Sequence, residues 1–550
     1  MPKLARLLTD EERWRLHFLR HSYRGGRDYV YPPAGTVDPR YGARSRPELY
    51  VDAEGIQRVR GTNVGGGSFL FAHDRETPED FALRLAQSYA INLCGPVVAR
   101  YVSTVYKAEP RREIPPEHEP LLADFDRRGA DVSAFFRDVC TWALVYGSRL
   151  FVATDTPAFD GDDVVSEADR IARRLEPYSY VVRPTSVLNW SVNDDDTLVG
   201  ITVDEGPAVL PFDPFRKPDE KPPPRRVRVW TPDAWVLFHV ADNDDAQIVK
   251  QGPGFGFVPF VPVVFRPVPD GCAYEGRSLI EDVADIQLEI YNELSLLQDL
   301  HRHQGSQFLA VPKALGGGSV STQEEITLGT KAYVEVTGGM PQYVGPTVDH
   351  AVEKRNHIGW LVARAMEAVG LIKRGRDSNE TASGESLRWE HAEFHDLAAS
   401  IADMMEEAER AVLAQREAIR SGSSDVESVR ESIAVAYSRD YQPLDPIAES
   451  EALAAELALR LGPAVEVELK ADYVQRRLGH LGAERVTELR EELEAAAEAD
   501  ALKREADAMA AKANAERAMQ PAAPLRFGMP KPPMPMDKPM PMRPNGAAAA

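Results

Sequence analysis

"SLIEDVADIQLEIYNELSLLQDLHRHQGSQFLAVP", residues 278–312, decides how the chain is read. Ile280, Val283, Ala284, Gln287, Ile290, Tyr291, Leu294 and Leu297 recur at three- and four-residue steps, the mark of a helix with one face out of water. Ser278 and Glu281 have capping-box spacing at its start. The helix gives way to QFLAV (307–311), and short strands and glycine turns follow, KAYVEV (331–336) and TGGMPQYVG (337–345). A second helical pattern returns at about 348–369, carrying Val348, Val352, Ile358, Leu361, Val362, Ala365 and Val369, and Gly370 stops it. Two long helices bracketing a small insert have little core between them, so the stripe needs cover from elsewhere. Neighbouring copies are the natural cover, with Ile280, Val283, Ile290, Leu294 and Leu297 as subunit interface. The insert strands, marked by Tyr333, Val336 and Tyr343, are expected to pair across copies as edge strands do.

Upstream, the chain reads as mixed helix and strand. A charged helix is expected at about 9–20. Thr77, Pro78, Glu79 and Asp80 open a helix expected to run to about 107, and Asp131 opens another at 131–146 that Gly147 ends. RLFVAT (149–154) reads as a strand. From 178 to 266, YSYVVRP, VLNWSV, LVGITV, RRVRVWT, AWVLFHV and VPVVF are β-branched and aromatic runs between Asp, Gly and Pro turns, with a Pro-rich loop at 211–224. Downstream, a helix of roughly 50 Å over about 385–420 aligns Phe394, Leu397, Ile401, Met404, Ala408 and Val412. ESIAVAY (431–437) follows as a strand, then Ala- and Glu-rich helices over about 446–518 and a Pro/Met-rich tail that reads as disordered. The fold class is α+β.

The chain has 550 residues, 43% of them hydrophobic, enough for two to four structural units. A net charge of −22 speaks against general adhesion to nucleic acid or to an anionic membrane surface. Cys94, Cys140 and Cys272 form no CxxC pair, and the first two fall in apolar helical patterns as buried thiols of a reducing compartment. The start carries no apolar leader, and no run approaches the ~20 apolar residues of a membrane span, so a soluble, cytosol-made chain is expected.

Motifs for chemistry are broken. Gly61–Ser68 has phosphate-loop spacing with glycine in place of lysine and no helix after it. His391 and His395 share a helix face, but HAEFH is not HExxH and no third ligand is in view. The clusters NDDD (193–196) and DNDD (242–245) read as Asx turns. No cofactor, no metal and no catalysis are expected. One stretch is out of character: LIKRGRDSNETASGESL (371–387) sets Lys373, Arg374 and Arg376 in a flexible loop between the helices.

An ordered set of stretches resembles the portal proteins of tailed bacteriophages. They are YAINLCGPVVARYVSTVYKAEP (89–110), FFRDVCTWALVYGSRLFVATDTP (135–157), YVVRPTSVLNWSVNDDD (180–196), GFVPFVPVVF (256–265), residues 275–312, the helix–loop–helix of 348–420 and ADYVQRRLGHLG (471–482). The resemblance implies a portal fold with an α/β wing (1–275 and 386–445), stem helices (276–306 and 347–370), a small α/β clip (307–346), a tunnel loop (371–385) and a helical crown (446–519), with 520–550 as tail. It further implies a ring, usually dodecameric, at one capsid vertex of a virion made in the bacterial cytoplasm. Double-stranded DNA enters through such a ring under terminase and leaves through it into the tail. The implied partners are further copies, DNA, the terminase large subunit, the major capsid or scaffold protein and a head–tail adaptor or tail protein. Lys373, Arg374, Arg376 and Asn379 would face the phosphates, though Lys373 and Arg374 also stand where a helix C-terminus attracts cations. A head–tail adaptor or minor head protein would suit a shorter chain without the strands, and a DNA-processing enzyme would need the missing motifs.

Overall fold

The first helix begins where local chemistry says it must. Thr9 and Glu12 cap each other reciprocally, the Thr9 hydroxyl accepting from the Glu12 amide at 3.2 Å. The computed structural model describes 7–33, 68–72, 76–115, 124–157, 175–207, 223–241, 246–269, 273–304, 348–371 and 392–439. It also describes strands at 48–51, 57–60, 308–312, 333–336 and 342–344, helical runs at 453–458, 463–478 and 483–518, and positions 36, 122, 271 and 441. Two units emerge, Met1–Tyr441 and Gln442–Ala550.

The first unit opens with α1 (Asp10–Arg24), α2 (Gly26–Val30) and the hairpin β1 (Glu48–Val51) and β2 (Gln57–Arg60). Then come α3 (Pro78–Gln87), α4 (Cys94–Val105), β3 (Arg111–Glu113), α5 (Val132–Tyr146), β4 (Leu150–Asp155) and β5 (Tyr178–Val182). Thr77 caps α3 and Asp131 caps α5, as their sequences promise. The single helix expected from 77 to 107 is two helices. Pro96 lacks an amide hydrogen and its ring would strike the carbonyl four residues back, so a helix can restart near Cys94 but cannot run through.

The β-rich stretch folds as expected, with β6 (Val187–Val192), β7 (Leu198–Pro207), β8 (Arg225–Trp230) and β9 (Ala234–Val240) antiparallel. The sequence reading missed a fifth strand, β10 (Ala246–Pro253), on the edge of this sheet. It has no alternating pattern, because the register shifts between Ile248 and Lys250, leaving Val249 without a partner in the ladder, and Ile248 and Val249 both face water. NDDD is the Asx turn foreseen: the Asn193 side chain accepts from Asp195 and Thr197. β11 (Phe260–Val263) joins β4 and β5 in a second sheet, order β11–β4–β5.

The remainder comprises α6 (Glu281–Gln304), β12 (Phe308–Pro312), β13 (Tyr333–Val336), β14 (Gln342–Val344), α7 (Val348–Ala368), α8 (Ala392–Ser421), α9 (Val426–Glu431) and β15 (Ala434–Ala436), which pairs with β3. One apolar core runs from Leu16 of α1 through α4, α5 and α6 to Val412 of α8. The second unit holds α10 (Pro463–Leu478) and α11 (Ala483–Ala518), two helices packed together.

Cys94 and Cys140 are buried thiols, and burial pushes Cys140 up to about 12, which makes it inert as a nucleophile. Cys272, residues 61–67, His391 and DNDD lie outside the described residues. No helix among the described residues is long and apolar enough to cross a membrane.

Two imidazoles in α1 make this core acid-sensitive. His17 and His21 are lowered to about 4, each by burial first; Arg13 and Arg20 add repulsion at His17, and His17 and Arg20 at His21, where Asp28 opposes. The unfolded chain therefore takes up protons that the folded chain refuses between their ordinary 6.5 and about 4. Stability is full above that window and declines as pH falls through it. The urea midpoint should fall from pH 7 to pH about 4, and a His17→Gln/His21→Gln variant should lose part of that decline. An unchanged pH dependence in the variant would contradict the assignment.

Candidate functional site

α6 is rooted in the core by its first four turns. Its position is set where the chain crosses the end of α5: Gly147 caps α5 at φ +72°, and a β-carbon there would stand 2.2 Å from the Arg277 carbonyl carbon. Ser278 does not form the expected capping box. Its hydroxyl reaches the Val145 carbonyl at 2.7 Å and accepts from Ile280, so it ties α6 to the last turn of α5 instead.

Polar side chains then fix the helix at successive turns. Gln287, buried in the apolar stripe, accepts from the Leu93 and Cys94 amides at 2.8 and 3.1 Å. It thereby caps α4, whose N-cap residue Leu93 has no side-chain acceptor, while Asn92 accepts from the Gly95 amide at 2.8 Å. Its amide nitrogen donates to the Ser22 carbonyl. Asn292 accepts from the Phe71 amide at 2.8 Å. Ser295 accepts from buried Arg84, which is itself held by Glu76 through two contacts of 2.6–2.7 Å.

The stripe expected to meet a neighbouring copy is consumed inside the chain. Ile280, Val283 and Ile290 are 0% exposed and Leu294 is buried; Leu297 packs partly on the same core. Tyr291 stands edge-on to Tyr29 of α2 at 5.6 Å. Periodicity showed that the face is buried, but the cover is the chain's own α1, α3 and α4. These residues are withdrawn as an interface between copies. Beyond Ser295, α6 loses this cover, and its last turns are half-buried or exposed.

α7 packs back along α6, with Lys354 and Glu293 paired at 2.6 Å. Between the helices, β12 lies at the centre of a three-stranded sheet, parallel to β13 and antiparallel to β14. Tyr333 and Tyr343 thus flank Leu309, and Val336 stands opposite Pro312, all in one chain. Among the described residues β13 and β14 are the outer strands of this sheet; the side chains of the insert lie outside the described residues.

α7 buries Ala351, Ile358, Leu361, Ala365 and Val369 but leaves Trp360 53% and Val352 44% exposed. Gly359 adds an open spot beside the indole. His357 stacks over the ring at 5.8 Å and Arg364 lies 5.5 Å from its centre. Trp360 was missed because it falls off the apolar stripe, and a tryptophan out of phase with its helix's core face is the signal that would have found it. Val352, counted in that stripe, belongs to this outer face.

α7 ends in a Schellman turn. Gly370, at φ +65°, donates to Glu367 at 3.1 Å, and Leu371 to Met366 at 2.9 Å. Tyr101 of α4 donates to the Val369 carbonyl at 2.5 Å, and its ring lies 4.8 Å from Phe394 in the first turn of α8. A β-carbon at Gly370 would be 3.5 Å from the Phe394 amide nitrogen. One tyrosine therefore holds both feet of the intervening segment together. Lys373, Arg374, Arg376 and Asn379 belong to that segment and lie outside the described residues.

α8 is about 45 Å long and is anchored by a buried charge. Glu409, 0% exposed, pairs with Arg112 of β3 and accepts from the Tyr437 hydroxyl at 2.6 Å, and Tyr437 in turn contacts Tyr106 at 3.0 Å. Burial pushes the Glu409 carboxyl up, while Arg112 and Tyr437 pull it back. Deleting one partner of such a pair costs about 3–5 kcal/mol. Met405 is fully buried in the core, while Met404, the expected position, is half-buried.

Searched against protein-family models and curated proteins, the chain matches none.

The Tyr101 clamp has a graded signature. Tyr101→Phe should cost about 1 kcal/mol, the value of one hydrogen bond. Tyr101→Ala, which also vacates the Phe394 contact, should cost about 3–5 kcal/mol in denaturant unfolding and speed hydrogen exchange at the amides of 370–371. Equal costs for the two variants would contradict the clamp.

Proposed function

We propose that the chain is the subunit of a ring-shaped conduit for double-stranded DNA, a portal protein at one vertex of a phage capsid. The reading is carried by the hairpin. Its base is rooted in a self-sufficient core, a small sheet joins its two helices, and a segment with its feet clamped together leaves from the end of its returning helix. The exposed face of α7, with Trp360 and Val352, takes the place of the α6 stripe as the surface through which copies associate. The outer edges of β13 and β14 extend the contact by strand pairing.

Copies arranged in this way associate head to tail and close around an axis. Lys373, Arg374, Arg376 and Asn379 then repeat around the bore. Each phosphate neutralised adds affinity that salt weakens, so a uniformly basic lining would arrest a passing duplex. A few cations per copy, in a chain of net charge −22, grip transiently. On this reading the second unit is the crown, the terminase large subunit and a head–tail adaptor dock at opposite openings, and the capsid or scaffold protein surrounds the wing.

Packaging with the cognate terminase tests the reading. A Lys373→Glu/Arg374→Glu/Arg376→Glu variant should assemble normally yet protect at least about tenfold less DNA from nuclease. Unchanged protection would remove the DNA-contact role, and no packaging by rings of the unaltered chain would remove the conduit.

A further inference from the structure

A cleft of about 950 Å³ opens in the first unit between the start and face of α5, the edge strand β5 of one sheet and strands β7 and β8 of the other. Its lining carries charge of both signs; three of its acids are paired with arginines, while Asp126 and Asp138 are, among the described residues, hydrogen-bonded only to neutral donors. Asp155 and Glu205 hold Arg228 at 2.8 and 2.7 Å, and Glu205 also faces Arg226 at 3.8 Å. Asp204 is paired with Arg225. Asp126 accepts from the Arg128 and Ala130 amides, and Asp138 from the Trp142 indole at 3.0 Å.

Three guanidinium groups are left. Arg127 and Arg128 are exposed on the turn before α5, and Arg183 stands at the end of β5. None has a carboxylate within ion-pair distance among the described residues. Aromatic faces hold two of them in place: Arg127 lies 5.4 Å from the Tyr178 ring centre and Arg183 lies 4.3 Å from that of Trp142. Arg183 is also close to Arg20 of α1, whose value is lowered by burial and further by Arg24 and Arg183. Asp138 offsets part of the charge of Arg183 and Asp28 part of that of Arg20, and an anion entering the cleft would relieve the repulsion that remains.

We infer that this cleft is a docking site for an acidic peptide segment of a partner protein, held by Arg127, Arg128 and Arg183. The volume is that of a ligand site rather than a flat interface. The paired carboxylates along the walls favour a segment with a few spaced carboxylates over the continuous phosphates of a nucleic acid, which they would repel. The inference concerns a face of the first unit apart from the hairpin and does not depend on the conduit reading.

Fluorescence anisotropy on the full chain tests it, with a short labelled peptide of alternating glutamate and glycine, its glutamine counterpart and a short DNA duplex as probes. A chain of net charge −22 repels the first probe everywhere except at local cations, so its binding at physiological ionic strength is diagnostic. The glutamate peptide should bind at least about tenfold more tightly than the glutamine peptide, and an Arg128→Gln/Arg183→Gln variant should lose about tenfold. Arg128→Gln alone, at an exposed position that leaves the Trp142 contact intact, should lose about threefold with an unchanged melting curve. No binding of the glutamate peptide, equal binding of both peptides, or unaltered affinity in both variants overturns the site. Tighter, arginine-dependent binding of the duplex would reassign it to nucleic acid and equally overturn the proposal.

Discussion

The hairpin is held to the core through the first turns of α6 and the last turns of α7. Those turns of α6 carry apolar residues into the common core, and Gln287, Asn292 and Ser295 bind the backbone or side chains of the elements around them. Gln287 and Ser295 are buried, so each would be costly to leave unpaired, and with half-buried Asn292 they fix rotation and register where apolar contact alone would allow sliding. Past Ser295 the described side chains are half-buried or exposed, and α7 packs along the helix. Burial and exposure are thus divided along one continuous helix.

The same division explains what could be read from the sequence. Thr77–Pro78, Asp131 and Gly147 announce their helix ends because capping is local chemistry between residues three or four apart. The alternating strands of 178–240 are equally local. The cover for a stripe is not local: Ile280 to Leu294 look the same whether a neighbouring copy or α1 and α4 lie against them. Ser278 has the form of a cap, yet the crossing with α5 recruits its hydroxyl. Glu409 falls among apolar residues of α8, and Arg112, almost three hundred positions away in sequence, together with Tyr437 makes its burial intelligible. The arginines of the cleft were invisible for the same reason, since their isolation depends on which acids are already paired.

Charge is handled in three ways. It is buried in pairs at Arg84–Glu76 and Arg112–Glu409, where it secures geometry; it is spread as an acidic excess of 22 over the chain; and, among the described residues, cations stand without an ion pair at Arg127, Arg128 and Arg183 of the cleft. The third use sets where anions are met, and in the conduit reading the second sets how briefly DNA is held. Trp360 and Val352 add the apolar counterpart, a face on α7 that its own chain leaves open to water.

The central claim is that this open face, rather than the α6 stripe, joins copies into a closed annulus. Electron microscopy of the purified full-length chain beside a Trp360→Lys variant tests it most directly. The account predicts ring-shaped particles with an open centre for the unaltered chain and their loss in the variant, with the same unfolding midpoint for both. Compact single-copy particles of the unaltered chain, or intact rings in the variant, would contradict it.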